Sequence, residues 1–357
     1  MPNTLPPVDS AKALLEKLEL VSKKAYVDFG LYGMLHSSNL DQFEPMIEAG
    51  AIGFKVYLGP TTGNVPPPDD GALLRILEKS AKQNVTIVFH AENNDIVNFF
   101  TEEIFRSGSK DPLTHMKARP DIAEEEAIRR VGLFALRTGG RALIAHVSSK
   151  NGLNAVRELK IAKAKVYAET CPHYLLLNEA DYKKYGPLIK INPPIRTEED
   201  RLALIEGLND GTITNVGSDH APHTTEEKKG DIWKAASGIV GVQTIFPLTL
   251  HLALTGIISI NLIPRVLSES PAKLFGLYPS KGALQVGSSA DLVIADPKSS
   301  WTIKEEDLYY AYPTTPFVGW SLKGKVNYTI LRGKVVYDGS SVYGPKGNFV
   351  KGKGLTG

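Results

Sequence analysis

The sequence predicts an α/β fold: a TIM-like (β/α)8 barrel over residues 1–280, with a small β-sandwich lobe over residues 281–357. Three observations predict it. Short β-branched runs alternate with amphipathic stretches at roughly 30-residue spacing, the signature of parallel βαβ units and the average spacing of an eightfold barrel. Polar, ligand-capable side chains close several of those runs, at the strand ends where barrel active sites sit. After Gly238 the texture changes to helices followed by glycine-punctuated strands.

In chain order, strands are expected at Tyr26–Leu31, Ile52–Leu58, Val85–Phe89, Ala142–Val147, Lys165–Ala168 and Thr212–Gly217. Helices are expected at Ser10–Lys24, Leu40–Ala49, Asp70–Gln83, Ile122–Thr138, Asn151–Ala162 and Glu198–Asn209. The polar stretch Ser107–Arg119 lacks periodicity and reads as an extended loop over the strand ends. Helical signals then run through Val242–Leu254, Leu262–Glu269 and Pro271–Leu277. Strands are expected within Gly282–Asp296, Gly324–Arg332 and Lys334–Val336.

Composition narrows the function. Of 357 residues, 42% are hydrophobic and 22% charged, as in an ordinary globular protein. Lys+Arg number 41 and Asp+Glu 39, a net charge of +2 that argues for neither a nucleic-acid nor a membrane-surface partner. The single cysteine, Cys171, excludes an intramolecular disulfide and a cysteine-rich zinc module. No apolar run is long enough to span a bilayer, and the first residues lack signal-peptide character, so a cytoplasmic location is expected.

Side chains alternate between the two faces of a strand. Ile52, Phe54, Val56 and Leu58 form a bulky face for outer helices, which points Lys55 inward. The same alternation groups Thr86, Val88 and His90; Ile144, His146 and Ser148; and Asn215, Gly217 and Asp219. Each residue alone has an ordinary reading: a satisfied core histidine, a lysine stem reaching the rim, a helix-capping aspartate. Four such groups in order, each near a strand end, point instead to a metal centre, for which imidazole and carboxylate suit zinc. An ammonium cannot ligate, but a lysine carbamate could.

The ordered series Gly53-Phe54-Lys55-Val56-Tyr57-Leu58, His90-Ala91-Glu92, Ala145-His146-Val147-Ser148-Ser149, Glu169-Thr170-Cys171-Pro172-His173 and Gly217-Ser218-Asp219-His220-Ala221-Pro222-His223-Thr224 resembles the cyclic amidohydrolases. That family includes dihydroorotases, allantoinases and hydantoinases. Gly287-Ser288-Ser289-Ala290-Asp291-Leu292-Val293 looks like its β-rich lobe. Asp219–Thr224, Lys190-Ile191-Asn192-Pro193-Pro194 and the opening Met1-Pro2-Asn3-Thr4 are most similar to dihydroorotases. The resemblance implies reversible zinc-dependent hydrolysis of dihydroorotate to N-carbamoyl-aspartate in pyrimidine biosynthesis. It implies carboxylated Lys55, His90, His146 and Asp219 as metal ligands, Asp219 also as acid/base, and Asn3, Asn192 and His223 as substrate contacts. It would let the loop Gly59–Asn64 close over substrate, while His173 stays structural.

One family feature is missing. The histidines are His36, His90, His115, His146, His173, His220, His223 and His251, and none forms the His-x-His pair that supplies two further ligands. The expectation is therefore a barrel lacking about its first two strands, one zinc at most, poor activity, and a chain that starts at an internal methionine of a longer protein. A homo-oligomer or an aspartate carbamoyltransferase partner is a further expectation. The alternatives are a non-catalytic dihydroorotase-like scaffold, or an allantoinase or hydantoinase.

Overall fold

The computed structural model describes residues 1–61 and 65–352. Residues 62–64 of the loop expected to close over substrate lie outside them. Six strands form one parallel sheet in strict sequence order: Tyr32–Met34 (β1), Gly53–Tyr57 (β2), Thr86–His90 (β3), Arg141–Ile144 (β4), Val166–Thr170 (β5) and Asn215–Val216 (β6). The helices are Ala11–Ser22 (α1), Phe43–Glu48 (α2), Asp70–Gln83 (α3), Asn94–Arg106 (α4), Thr114–Ala118 (α5), Asp121–Thr138 (α6) and Lys150–Ile161 (α7). Pro172–Leu176 (α8), Tyr182–Tyr185 (α9) and Glu198–Asn209 (α10) follow β5, and Ile245–Leu254 (α11), Leu262–Pro264 (α12) and Ser270–Leu274 (α13) follow β6. Six strands match the number expected from sequence. Among the described strands β1 and β6 do not pair with each other, so the sheet is open.

The elements form where local chemistry dictates. Asp69 caps α3 by accepting from the Ala72 amide at 2.9 Å, and Thr197 and Asp200 form a reciprocal capping box on α10. The outer face of the sheet packs on the helices as predicted: Phe54 stacks on Phe43 of α2, ring centroids 4.5 Å apart. The inner face carries a separate cluster of Val88, Leu143, Ala145 and Leu274, with Tyr32, Tyr167 and Phe275 against it. Leu274 and Phe275, at the end of α13, thus plug the inside of the sheet.

Close helix packing depends on Gly132. A Cβ there would lie 2.2 Å from Leu159 Cδ1 on α7. Helix propensity alone would favour alanine by up to ~1 kcal/mol. The overlap outweighs it, so Gly132→Ala is expected to destabilise by about 1–3 kcal/mol, read as a lower urea midpoint. An unchanged or higher midpoint contradicts this packing.

Three expectations need correction. The first strand lies at Tyr32–Met34, not Tyr26–Leu31, because residues 25–29 pair instead with the C-terminal tail: Phe29 bridges Phe349, and the Gly347 amide donates to Ala25 O at 2.9 Å. The stretch before α6 is not one loop, since α4 precedes it and α5 lies within it. In the C-terminal part, Leu292–Thr302 (β7), Ser321–Leu331 (β8) and Lys334–Tyr337 (β9) form an antiparallel sheet, so the expected strand at 282 begins ten residues later. Among the described residues no helix is long and apolar enough to cross a membrane.

Candidate active site

Lys55 sits mid-strand in β2, paired in register with Met34 and Val88, and is 2% exposed. Its Nζ lies 5.3 Å from the Tyr57 ring centroid. Burial pulls its pKa down to about 8, opposed by the negative charges of Asp219, Glu169 and Cys171. His90 closes β3 and is buried, which lowers its pKa.

His146 reaches the same place by a different route from the one expected. Strand alternation puts Ile144 and His146 on one face, yet Ile144 packs in the outer core, while Leu143 and Ala145 face inward. The strand ends at Ile144, and His146 takes φ 44°, a left-handed conformation. That turn brings the ring to His90: His90 Nδ1 and His146 Nε2 are 3.1 Å apart, with ring centroids at 4.9 Å. Burial, reinforced by Lys55 and His90, holds His146 well below the usual imidazole range. Both rings are therefore neutral at pH 7, with lone pairs available. Asp219, three residues past β6, also has a left-handed backbone, φ 42°. Burial raises its pKa to about 6, partly offset by Lys55.

This pair fits a divalent cation. Tetrahedral bonds of about 2.0–2.1 Å place two ligand nitrogens ~3.3 Å apart, close to the observed spacing. Behind the pair, His90 Nε2 stands 2.9 Å from Glu92 Oε2, the carboxylate partner that metal-bound imidazoles typically have, although not in linear alignment. His146 Nδ1 is buried with no hydrogen-bond partner among the described residues. No group of three His, Cys, Asp or Glu side chains converges on a metal position among the described residues. A third ligand at the imidazole pair would thus have to come from Lys55.

The remaining predicted residues are placed less decisively. Asn3 is partly buried. Asn192 Oδ1 is buried without a partner among the described residues, on a turn anchored by Lys190, whose Nζ donates to Trp233 O (3.2 Å) and Ala235 O (2.7 Å). His223 Nε2 donates to Ser237 O at 3.2 Å, and its Nδ1 is 3.7 Å from Glu227. Neither Asn192 nor His223 hydrogen-bonds to the four ligand candidates among the described contacts. His173 is buried, with its ring centroid 4.3 Å from that of Tyr174.

Two groups of site residues escaped the sequence reading. Glu169 is the last residue but one of β5, and burial raises its pKa to about 7, with Lys55 opposing and Asp219 adding. Gly217 makes room for it: a Cβ there would lie 2.4 Å from the Glu169 carboxyl carbon. Its position two residues beyond Tyr167, on the inward side, was the available signal. Glu92 and Arg119 form a buried ion pair beside His90. Arg119 follows α5, in the stretch read as loop, and no sequence pattern connects it to His90.

The model of the amidohydrolase family matches residues 16–336. An L-hydantoinase of Paenarthrobacter aurescens is 35% identical over 347 residues, 96% of this chain and 76% of that protein. A dihydroorotase of Bacillus cytotoxicus is 35% identical over 346 residues, 96% of this chain and 78% of that protein. An allantoinase of Rubrobacter xylanophilus is 33% identical over 353 residues, 98% of this chain and 78% of that protein. The solved L-hydantoinase (dihydropyrimidinase) from Arthrobacter aurescens superposes with a TM-score of 0.95 at 35% identity, covering 98% of this chain and 79% of that one.

Proposed function

The chain belongs to the amidohydrolase family, and from that premise we propose that it is a metal-dependent dihydroorotase, opening the cyclic amide of dihydroorotate to N-carbamoyl-aspartate. The observation that carries the metal-dependent reading is the pair of neutral imidazole nitrogens 3.1 Å apart. The finer choice of substrate rests on Asn192 and His223, polar groups suited to an anionic ring. In this reading the parallel sheet is the wall of a (β/α) barrel, His90, His146 and a carboxylated Lys55 would hold one zinc, and Asp219 would serve the second metal position of the family. When bound, the cation supplies an activated water at neutral pH and polarises the amide carbonyl.

The chain's own residues do the rest. Asp219 accepts the proton of the attacking water and delivers it to the ring nitrogen as the C–N bond breaks. Asn3, Asn192 and His223 hold the substrate carboxylate and ring edges by donating N–H groups.

Hydantoin hydrolysis is the second reading, favoured by the TM-score of 0.95 against a hydantoinase structure. A panel of dihydroorotate, 5-substituted hydantoins and allantoin, assayed with the zinc-loaded protein, decides. Dihydroorotate is expected to give the highest kcat/KM, and Asn192→Ala to raise KM for it. Turnover confined to hydantoins would move the assignment to the second reading, and no turnover of any ring would overturn both.

A further inference from the structure

We infer that Arg119 is a positioning residue for the imidazole pair: one guanidinium and its own carbonyl tie together the supports of both His90 and His146. The inference rests on reading those two histidines as ligands.

On the His90 side, Glu92 is fully buried and Arg119 is 6% exposed. Arg119 grips the carboxylate as a fork, Nε at 3.1 Å from Oε1 and Nη2 at 2.5 Å from Oε2. Nη2 also donates to Pro60 O at 2.9 Å, just beyond β2, the strand of Lys55. The fork fixes the carboxylate plane, and Oε2 then stands 2.9 Å from His90 Nε2. The N–H is not aligned on Oε2, but an unprotonated Nε2 would set its lone pair against that carboxylate, so charge favours the tautomer with its proton on Nε2, which leaves the Nδ1 lone pair facing His146.

On the His146 side, Arg119 O accepts from Arg196 Nη1 at 3.0 Å, and Arg196 Nε donates to Ser148 Oγ at 2.8 Å. Ser148 lies two residues past His146, and Glu124 accepts from both its amide (2.9 Å) and its hydroxyl (3.0 Å). This connected, buried network clamps the turn whose left-handed residue is His146. A residue just past α5 thereby ties together two strand ends that it does not adjoin in sequence.

The test compares wild type with Arg119→Gln and Arg119→Lys. Three readouts are needed: zinc affinity by chelator competition, the His90 ring tautomer by long-range 15N–1H correlation on the metal-free protein, and thermal unfolding. Arg119→Gln is expected to lower zinc affinity by roughly 10–100-fold, the usual cost of losing an outer partner, and to move His90 away from the Nε2–H tautomer. Arg119→Lys keeps the charge but not the fork, so it is expected to fold and to show the same changes in smaller degree. A role confined to neutralising Glu92 would lower the unfolding temperature and leave tautomer and affinity untouched. Either folded variant with wild-type tautomer and wild-type affinity overturns the inference. Failure of wild type to bind zinc would count against the metal reading instead, while the tautomer comparison still decides for or against Arg119.

Discussion

Replacing His146 by glycine is expected to strip the centre of its cation while leaving the metal-free chain close to its original stability. The affinity loss follows from removing one of the two nitrogens that face each other across 3.1 Å. It should exceed the roughly 10–100-fold that loss of a mere outer partner costs. The stability term is a balance. His146 holds φ 44°, a conformation that costs a non-glycine residue about 1–2 kcal/mol and glycine almost nothing. Its Nδ1 is buried without a partner among the described residues, a further penalty of ~1–3 kcal/mol that the substitution removes. Against these stand the cavity left by a buried ring, of the order of a few kcal/mol, and about 1–3 kcal/mol for His90 Nδ1, which loses its partner. His146→Ala keeps the strained backbone and also loses the ring, so it should be less stable than the glycine variant by about 1 kcal/mol. Urea unfolding of the metal-free variants checks that order. Alanine at least as stable as glycine would mean that the turn is not strained in the way described.

Asp219→Asn is expected to lower turnover by about 10²–10⁴-fold, the usual contribution of a positioned acid/base, since an amide neither accepts nor returns the proton. The same substitution reports on the electrostatics of the metal-free fold. Asp219 has a folded pKa of about 6 against an ordinary 3.8, and Glu169 about 7 against 4.5. Between those limits these two carboxylates bind more protons in the folded protein than in the unfolded chain, so their contribution to stability is greatest at the acidic end and falls as pH rises towards 7. At about 1.4 kcal/mol per pKa unit, each carboxylate contributes a decline of roughly 3 kcal/mol. Lys55 acts in the opposite sense. Its folded pKa of about 8 lies below the ordinary 10.5, so the unfolded chain binds more protons in that window and stability recovers as pH rises through it. The buried histidines, whose pKa values are lowered, act against the carboxylates in the whole-protein profile, so the carboxylate contribution is read as a difference between wild type and variant. The urea midpoint of wild type less that of Asp219→Asn or Glu169→Gln should fall as pH rises from 4 to 7, and a pH-independent difference for both would show that these carboxylates are solvated.

The sequence carried the fold further than it carried the site. The limits of α3 and α10 were legible to the residue, because Asp69 and Thr197 cap them and the apolar period runs unbroken behind each cap. The inward aim of Lys55 and His90 followed from alternation alone, because β2 and β3 are regular to their ends. His146 was expected inside for a reason that fails: the two-residue period breaks after Ile144, and a left-handed turn brings its ring to His90 instead. Backbone conformation of that kind leaves no mark in hydrophobic pattern. Residues 25–29 misled in the other direction, since their β-branched and aromatic texture is satisfied by the distant tail around Phe349 rather than by the sheet. Glu92 and Arg119 stayed hidden because their pairing spans 27 positions and is fixed only by tertiary packing.

The central claim is that His90 and His146, with a carboxylated Lys55, hold a divalent cation. Anomalous diffraction at the zinc edge, from crystals grown with zinc, tests it most directly. The account predicts a peak bonded to both His90 Nδ1 and His146 Nε2, with density for a carbamate on Lys55 Nζ reaching the same ion. Zinc found only at surface side chains, with the two imidazoles still hydrogen-bonded to each other, would contradict it.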